Sequence, residues 1–132
     1  MTRKSSLPTA RQTKQRDAVL RVLEEAPGPV GVPEILRLAQ QSCVTLGQAT
    51  VYRHLKRLVA ADRIFPVALP GGETRFESKR RARTHHHHFH CRVCDAVLDL
   101  EGCPVTTSDR LPPGFRVESH DLTFYGVCGG CA

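Results

Sequence analysis

The chain has 132 residues, enough for one ordinary domain or for two small lobes with thin cores. Its formal net charge of +6 is unevenly placed: residues 1–84 carry 16 Lys/Arg against 7 Asp/Glu, and residues 85–132 carry 3 against 6. No apolar run is long enough for a membrane span, and Met1 to Ala10 lacks the apolar stretch of a secretory signal. A cytoplasmic location is therefore expected, where thiols stay reduced and paired cysteines hold metal rather than form disulfides.

Taken in chain order, Thr13 to Ala26 is expected to be a helix, with Val19, Val22, Leu23 and Ala26 at i, i+3, i+4 and i+7 forming one apolar stripe. Pro27-Gly28-Pro29 ends it. A second helix is expected over Pro33 to Gln41, with Pro33 suited to its first turn. Thr45 is the expected cap of a third helix. There Val51, Leu55, Leu58 and Val59 face inward, and Gln48, Tyr52, Arg53, Lys56 and Arg57 lie on the other side. Ile64 to Leu69 and Thr74 to Phe76 alternate like strands around a Pro70-Gly71-Gly72 turn. Three helices and a hairpin spell a winged helix-turn-helix, with the third helix for the major groove. Amide, aromatic and basic side chains on one helix face suit base edges and phosphates.

Ser78 to Thr84 is polar and basic and reads as a linker. Beyond it, Ala96 to Leu100 is expected as a strand, Pro104 to Arg110 as a short helix, and Phe115 to Val127 as two strands broken near His120. The expected fold class is α+β: a winged-helix domain over 1–77, a hinge over 78–84 and a small α/β dimerisation domain over 85–132. Exposed strand edges in the second domain favour pairing with another copy.

Chemistry concentrates in the C-terminal part. Cys91-x-x-Cys94 and Cys128-x-x-Cys131 are two hooks that supply four thiolates to one tetrahedral zinc. Ahead of them runs His85-His86-His87-His88. In an extended segment neighbours point to opposite faces, so His86 and His88 share one face and His85 and His87 the other, a geometry that feeds two sites.

Thr13-Lys14-Gln15-Arg16, Ala49-Thr50-Val51-Tyr52-Arg53, Gly71-Gly72, the four histidines, both C-x-x-C pairs, His120-x-Leu122 and Tyr125-Gly126 stand in the order seen in the ferric uptake regulator family. The chain resembles that family over almost its whole length. The resemblance implies a homodimeric, metal-activated repressor of double-stranded operator DNA, with no enzymatic activity, no small organic substrate and no membrane partner. It implies a structural Zn2+ on Cys91, Cys94, Cys128 and Cys131. It further implies a sensing site of His86, His88, Asp99 and Glu77, and a second site in which His85, His87 and His120 take a fourth ligand from among Cys103, Glu101 and Asp109. Lys14 would reach the minor groove and Tyr52 and Arg53 the major groove, with Gln48, Thr50 and Arg57 as lesser contacts. Within the family the zinc uptake regulators look nearest, through Gly102-Cys103-Pro104-Val105 and because a thiolate beside imidazoles favours Zn2+ on softness. Iron-, manganese- or peroxide-responsive regulation, with Fe2+ or Mn2+ as the metal, is the alternative.

The chain also departs from the family's zinc sensors. Those often place a cysteine in the hinge and an aspartate near the wing, where this sequence has Arg80, Arg81 and Pro66. A zinc-dependent hydrolase fits less well, because the chain has neither His-Glu-x-x-His nor a Gly-rich phosphate loop. A metal buffer would leave the basic N-terminal half without a role.

Overall fold

The computed structural model describes residues 7, 9–69, 73–105 and 110–132. By internal contacts the chain divides into two compact units, residues 1–82 and 83–132.

The first unit opens with α1 (Ala10–Glu25), which starts three residues earlier than its apolar stripe suggests. Thr9 is the reason: its side chain accepts from the Gln12 amide at 3.2 Å while its own amide donates to the Gln12 side chain at 2.9 Å, a reciprocal capping box. Helix α2 (Val32–Ala39) begins at Val32, with Pro33 inside the first turn. Helix α3 (Gln48–Ala60) is capped by Gly47 and not by Thr45, and no side chain bonds its first amides. Leu46, fully buried just before the cap, pulls the chain inward there and carries the helix start past Thr45.

Strands β1 (Ile64–Ala68) and β2 (Thr74–Ser78) pair antiparallel from Ile64↔Ser78 to Ala68↔Thr74. The expected turn at 70–72 lies outside the described residues. Val30, between α1 and α2, exchanges both backbone hydrogen bonds with Phe76, at 2.8 and 2.9 Å, and fastens the helices to the wing. Val19, Leu23, Ile35, Val51, Leu55, Leu58 and Ile64 fill the space where the helices meet the sheet. Part of the basic stretch read as a linker is a short helix, α4 (Lys79–Ala82).

The second unit is built on β3 (His86–Cys91), the middle strand of a three-stranded sheet. It pairs antiparallel with β4 (Val97–Glu101) and parallel with β5 (Thr123–Gly126). The two strands expected over 115–127 reduce to β5. Residues 115–119 are exposed and pair with nothing among the described residues, so alternation there has no partner to turn it into a strand. The helix expected over 104–110 falls partly on 106–109, outside the described residues, and Pro104 and Val105 are not helical. Among the described residues of this unit only Cys91 and Val97 are buried apolar side chains. So small a core needs reinforcement by metal, disulfide or partner. No described helix is long and apolar enough to cross a membrane.

Sequence reading missed one buried polar contact. His54 of α3 is 5% exposed and its Nε2 lies 3.3 Å from Gln15 Oε1 of α1. Burial, then the positive charges of Arg57, Arg53 and Arg16, lower the His54 pKa. The unfolded chain then binds this proton more readily than the folded one. Stability from this position is therefore complete above the free-histidine value of about 6.5 and declines as pH falls below it. Denaturant titrations between about pH 7 and pH 5 are expected to show less acid sensitivity in His54→Leu than in the parent. In the same unit Leu55→Ala should cost about 2–5 kcal/mol, whereas Tyr52→Ala should stay within about 0.5 kcal/mol, since Tyr52 is 52% exposed.

Candidate metal centres and nucleic-acid face

The two C-x-x-C hooks come together where β3 ends. Cys91 is the last residue of β3; its amide donates to the Ala96 carbonyl at 2.9 Å, and the Asp95 amide donates to the Cys91 carbonyl at 3.0 Å. Asp95 closes this turn with φ 62°, a left-handed conformation that a short polar side chain tolerates. Its carboxylate meets His90 Nε2 at 2.5 Å, which gives His90 a role in fastening the hook rather than in any ligand set. The second hook is a turn in which the Cys131 and Ala132 amides both donate to the Cys128 carbonyl, at 3.0 and 2.9 Å. β5 delivers it beside the first, with the Arg92 amide donating to the Gly126 carbonyl at 2.8 Å.

The four sulfurs lie within 4.8 Å of one another, and Cys94 Sγ is 3.8 Å from Cys128 Sγ. Tetrahedral zinc with Zn–S of about 2.3 Å has S···S edges of about 3.8 Å, so the cage has the size of that ion. Amide donors from Cys94 and Cys128 draw the Cys91 pKa down to about 6, the Cys128 amide standing 3.3 Å from its sulfur. Hydrogen bonding to Cys128 and Cys94 pushes Cys131 up to about 12. One thiolate forms readily and its neighbour resists; a bound divalent cation is what lets all four ionise together.

The pleat of β3 separates the histidines as alternation requires. His88 is paired with Asp99 and His86 with Glu101, so these four side chains share a face. His88 Nε2 is 3.3 Å and His86 Nε2 3.8 Å from Asp99 Oδ1. His86 Nδ1 donates to the Thr84 carbonyl at 2.7 Å, which orients the ring with Nε2 on the Asp99 side. Glu77 sits near the end of β2 in the first unit and is buried.

On the opposite face His85, His87, His120 and Cys103 converge, their donor atoms within 4.8 Å of one another. Cys103 Sγ is 3.3 Å from His87 Nε2 and 3.1 Å from His120 Nε2. Of the three candidates for fourth ligand, Cys103 is the one that reaches this group among the described residues. Glu101 is on the other face with His86, and Asp109 lies outside the described residues. His87 is buried, and burial followed by the neighbouring imidazoles lowers its pKa, so the ring is neutral and ligand-ready at neutral pH.

In the first unit Gln48, Tyr52, Arg53 and Arg57 are exposed on α3, with Thr50 half-buried, and Lys14 is exposed on α1. Arg53 donates to Thr50 Oγ1 at 3.0 Å, which holds the guanidinium against the helix. The helix carries Arg53, Lys56 and Arg57 and no acidic residue, so its outer face is net positive, with the neutral Gln48 and Tyr52 among the charges. Cys43 Sγ packs toward the Lys14 carbonyl at 3.8 Å, as a simple packed thiol.

Cys128→Ser is expected to lower the zinc that the purified protein retains by about one ion per chain. It should also expose β5 to hydrogen exchange, because apparent structural-zinc binding energies of about 10–16 kcal/mol would be lost from a unit with little core of its own. Metal analysis and exchange mapping read the two effects.

A model of the ferric uptake regulator family matches residues 8–125. The ferric uptake regulation protein of Bacillus subtilis is 29% identical over 124 residues, covering 90% of this chain and 83% of that protein. The peroxide operon regulator of the same bacterium is 25% identical over 125 residues, covering 92% and 84%. Among solved structures, a zinc-bound manganese uptake regulator matches with a TM-score of 0.77 at 25% identity, over 93% of this chain and 91% of that one. The Helicobacter pylori ferric uptake regulator shares the fold, with a TM-score of 0.64 at 23% identity over 95% and 82%. With a winged helix, a histidine-rich strand and paired cysteine hooks in this order, and a family match over residues 8–125, the chain belongs to the ferric uptake regulator family.

Proposed function

We propose that this family member is a homodimeric, zinc-responsive repressor that binds double-stranded operator DNA and controls metal-uptake genes. The observation that carries the reading is β3, whose histidines meet the Asp99 carboxylate of β4 on one face and the Cys103 sulfur on the other and which ends in a four-cysteine cage, in a chain whose other unit bears a basic helix.

His86, His88 and Asp99 are assigned to the sensing site, with Glu77 contributed by the winged-helix unit. A cation held there supplies positive charge that offsets the carboxylate of Asp99 beside the two imidazoles. The residues themselves prepare for it: Thr84 orients His86, and Asp99 draws the two imidazoles together. Tyr52, Arg53, Gln48 and Arg57 are assigned to the major groove, Lys14 to the minor groove, and Thr50 to holding Arg53. Dimerisation is assigned to the second unit. Phe124 and Tyr125 are 44% and 56% exposed on β5, an edge strand of the sheet, and Phe115 and Val117 add further exposed apolar surface. Zinc is favoured by the thiolate beside His87 and His120. The carboxylate face, with harder oxygen donors, supports a second reading in which Fe2+ or Mn2+ is the regulatory ion.

The test is binding to the protein's own promoter DNA, titrated against buffered free Zn2+, Fe2+ and Mn2+. Zinc should tighten binding by about 5–150-fold, the span of ordinary allosteric couplings. His86→Ala/His88→Ala should remain a folded dimer with weak, metal-independent binding. Equal affinity in the chelated and saturated parent, or retained metal dependence in the double variant, refutes the assignment. Tight activation by Fe2+ or Mn2+ alone gives the metal to the second reading.

A further inference from the structure

The set on the far side of β3 has a third imidazole and a thiol where the Asp99 set has carboxylate, and that difference has chemical content. Three imidazoles stand around Cys103: the His85 ring is 4.7 Å from His87 and 4.8 Å from His120, and His87 and His120 are 5.1 Å apart. Tetrahedral zinc with Zn–N of about 2.0–2.1 Å and Zn–S of about 2.3 Å has S···N edges of about 3.6 Å. The sulfur already stands 3.3 and 3.1 Å from His87 and His120 Nε2, close to such an edge and on the short side of it. Gly102, at φ 80°, makes the turn that brings Cys103 back toward β3 directly after β4 ends. Among the described residues no carboxylate belongs to this set, whereas Asp99 lies with His86 and His88 on the other face.

We propose that Cys103 makes this face a His3Cys thiolate site for thiophilic tetrahedral cations, Zn2+ and Cd2+, that discriminates against Mn2+, while the Asp99 face keeps the broader selectivity of mixed nitrogen and oxygen donors. The two faces of one strand thus take different classes of metal. The proposal rests on the assignment of His85, His87 and His120 as a cation site. A soft ligand with three imidazoles binds borderline and soft ions; Mn2+ prefers oxygen donors and gains little from sulfur. All four ligands lie between residues 85 and 120. Three of them, His85, Cys103 and His120, lie outside any strand, so filling the site fastens the segments of Cys103 and His120 to β3.

The test uses the full chain, purified under reductant with one zinc in the four-cysteine cage, and Co2+ as the probe. Adding Co2+ should produce intense tetrahedral d–d absorption with a sulfur-to-cobalt charge-transfer band. That band should be lost in Cys103→Ser and kept in His86→Ala/His88→Ala. Zinc affinity of the site should fall at least about tenfold in Cys103→Ser, the lower end of what even an outer-shell partner contributes. In the unmodified chain, a second equivalent of Zn2+ should protect Cys103 from alkylation, and excess Mn2+ should not; mass spectrometry of the labelled peptide reads this without any variant. Cobalt bound without the charge-transfer band, or Cys103 alkylated equally with and without zinc, overturns the thiolate assignment alone. Failure of any cobalt to bind beyond the caged zinc overturns the cation site as well.

Discussion

The alternating pleat of β3 is the constraint on which the second unit depends. A strand cannot turn consecutive side chains to one side, so four adjacent histidines must be divided two and two. Pairing with β4 then decides which acid joins which pair: Asp99 stands opposite His88 and is drawn to that face, and the other face is left to sulfur. Slipping the register by one residue would exchange the partners of both faces at once. The sheet is therefore the selector of ligand chemistry, and the loops only complete what it has sorted.

The same strand carries the mechanical load. With Cys91 and Val97 the only buried apolar side chains among its described residues, the second unit has little hydrophobic cohesion. The four-cysteine cage joins the end of β3 to the chain that follows β5, so the parallel β3–β5 pairing and the cage reinforce one another. The first unit is built differently. Its helices and hairpin close over a continuous apolar cluster, and its surface is free to specialise in positive charge.

Much of this was legible in the sequence because the signals were periodic or covalently spaced. Val51, Leu55 and Leu58 at helical spacing placed α3, and two C-x-x-C hooks announced a cage before any distance was known. The division of His85 to His88 followed from the strand's period alone. What escaped were features set by contacts distant in sequence or by a single local competition. Thr45 resembles a cap, but the burial of Leu46 moves the helix start to Gly47. The stretch 115–122 alternates, yet a strand exists only where another strand receives it. The choice of Cys103 over Glu101 needed the register of β4, which no local pattern encodes. Nor could the pairing of Gln15 with His54, 39 residues apart, be read from either helix by itself.

That last pairing ties together neighbours that face the other way. Gln15 follows Lys14, and His54 follows Arg53, so a buried amide and a buried imidazole sit behind two outward cationic side chains on different helices. Swapping α3 alone into a related scaffold would strand one half of this lock. A chimera meant to recognise a new base sequence must transplant residue 15 along with the helix, or the angle between its two probes will no longer be the one its parent had.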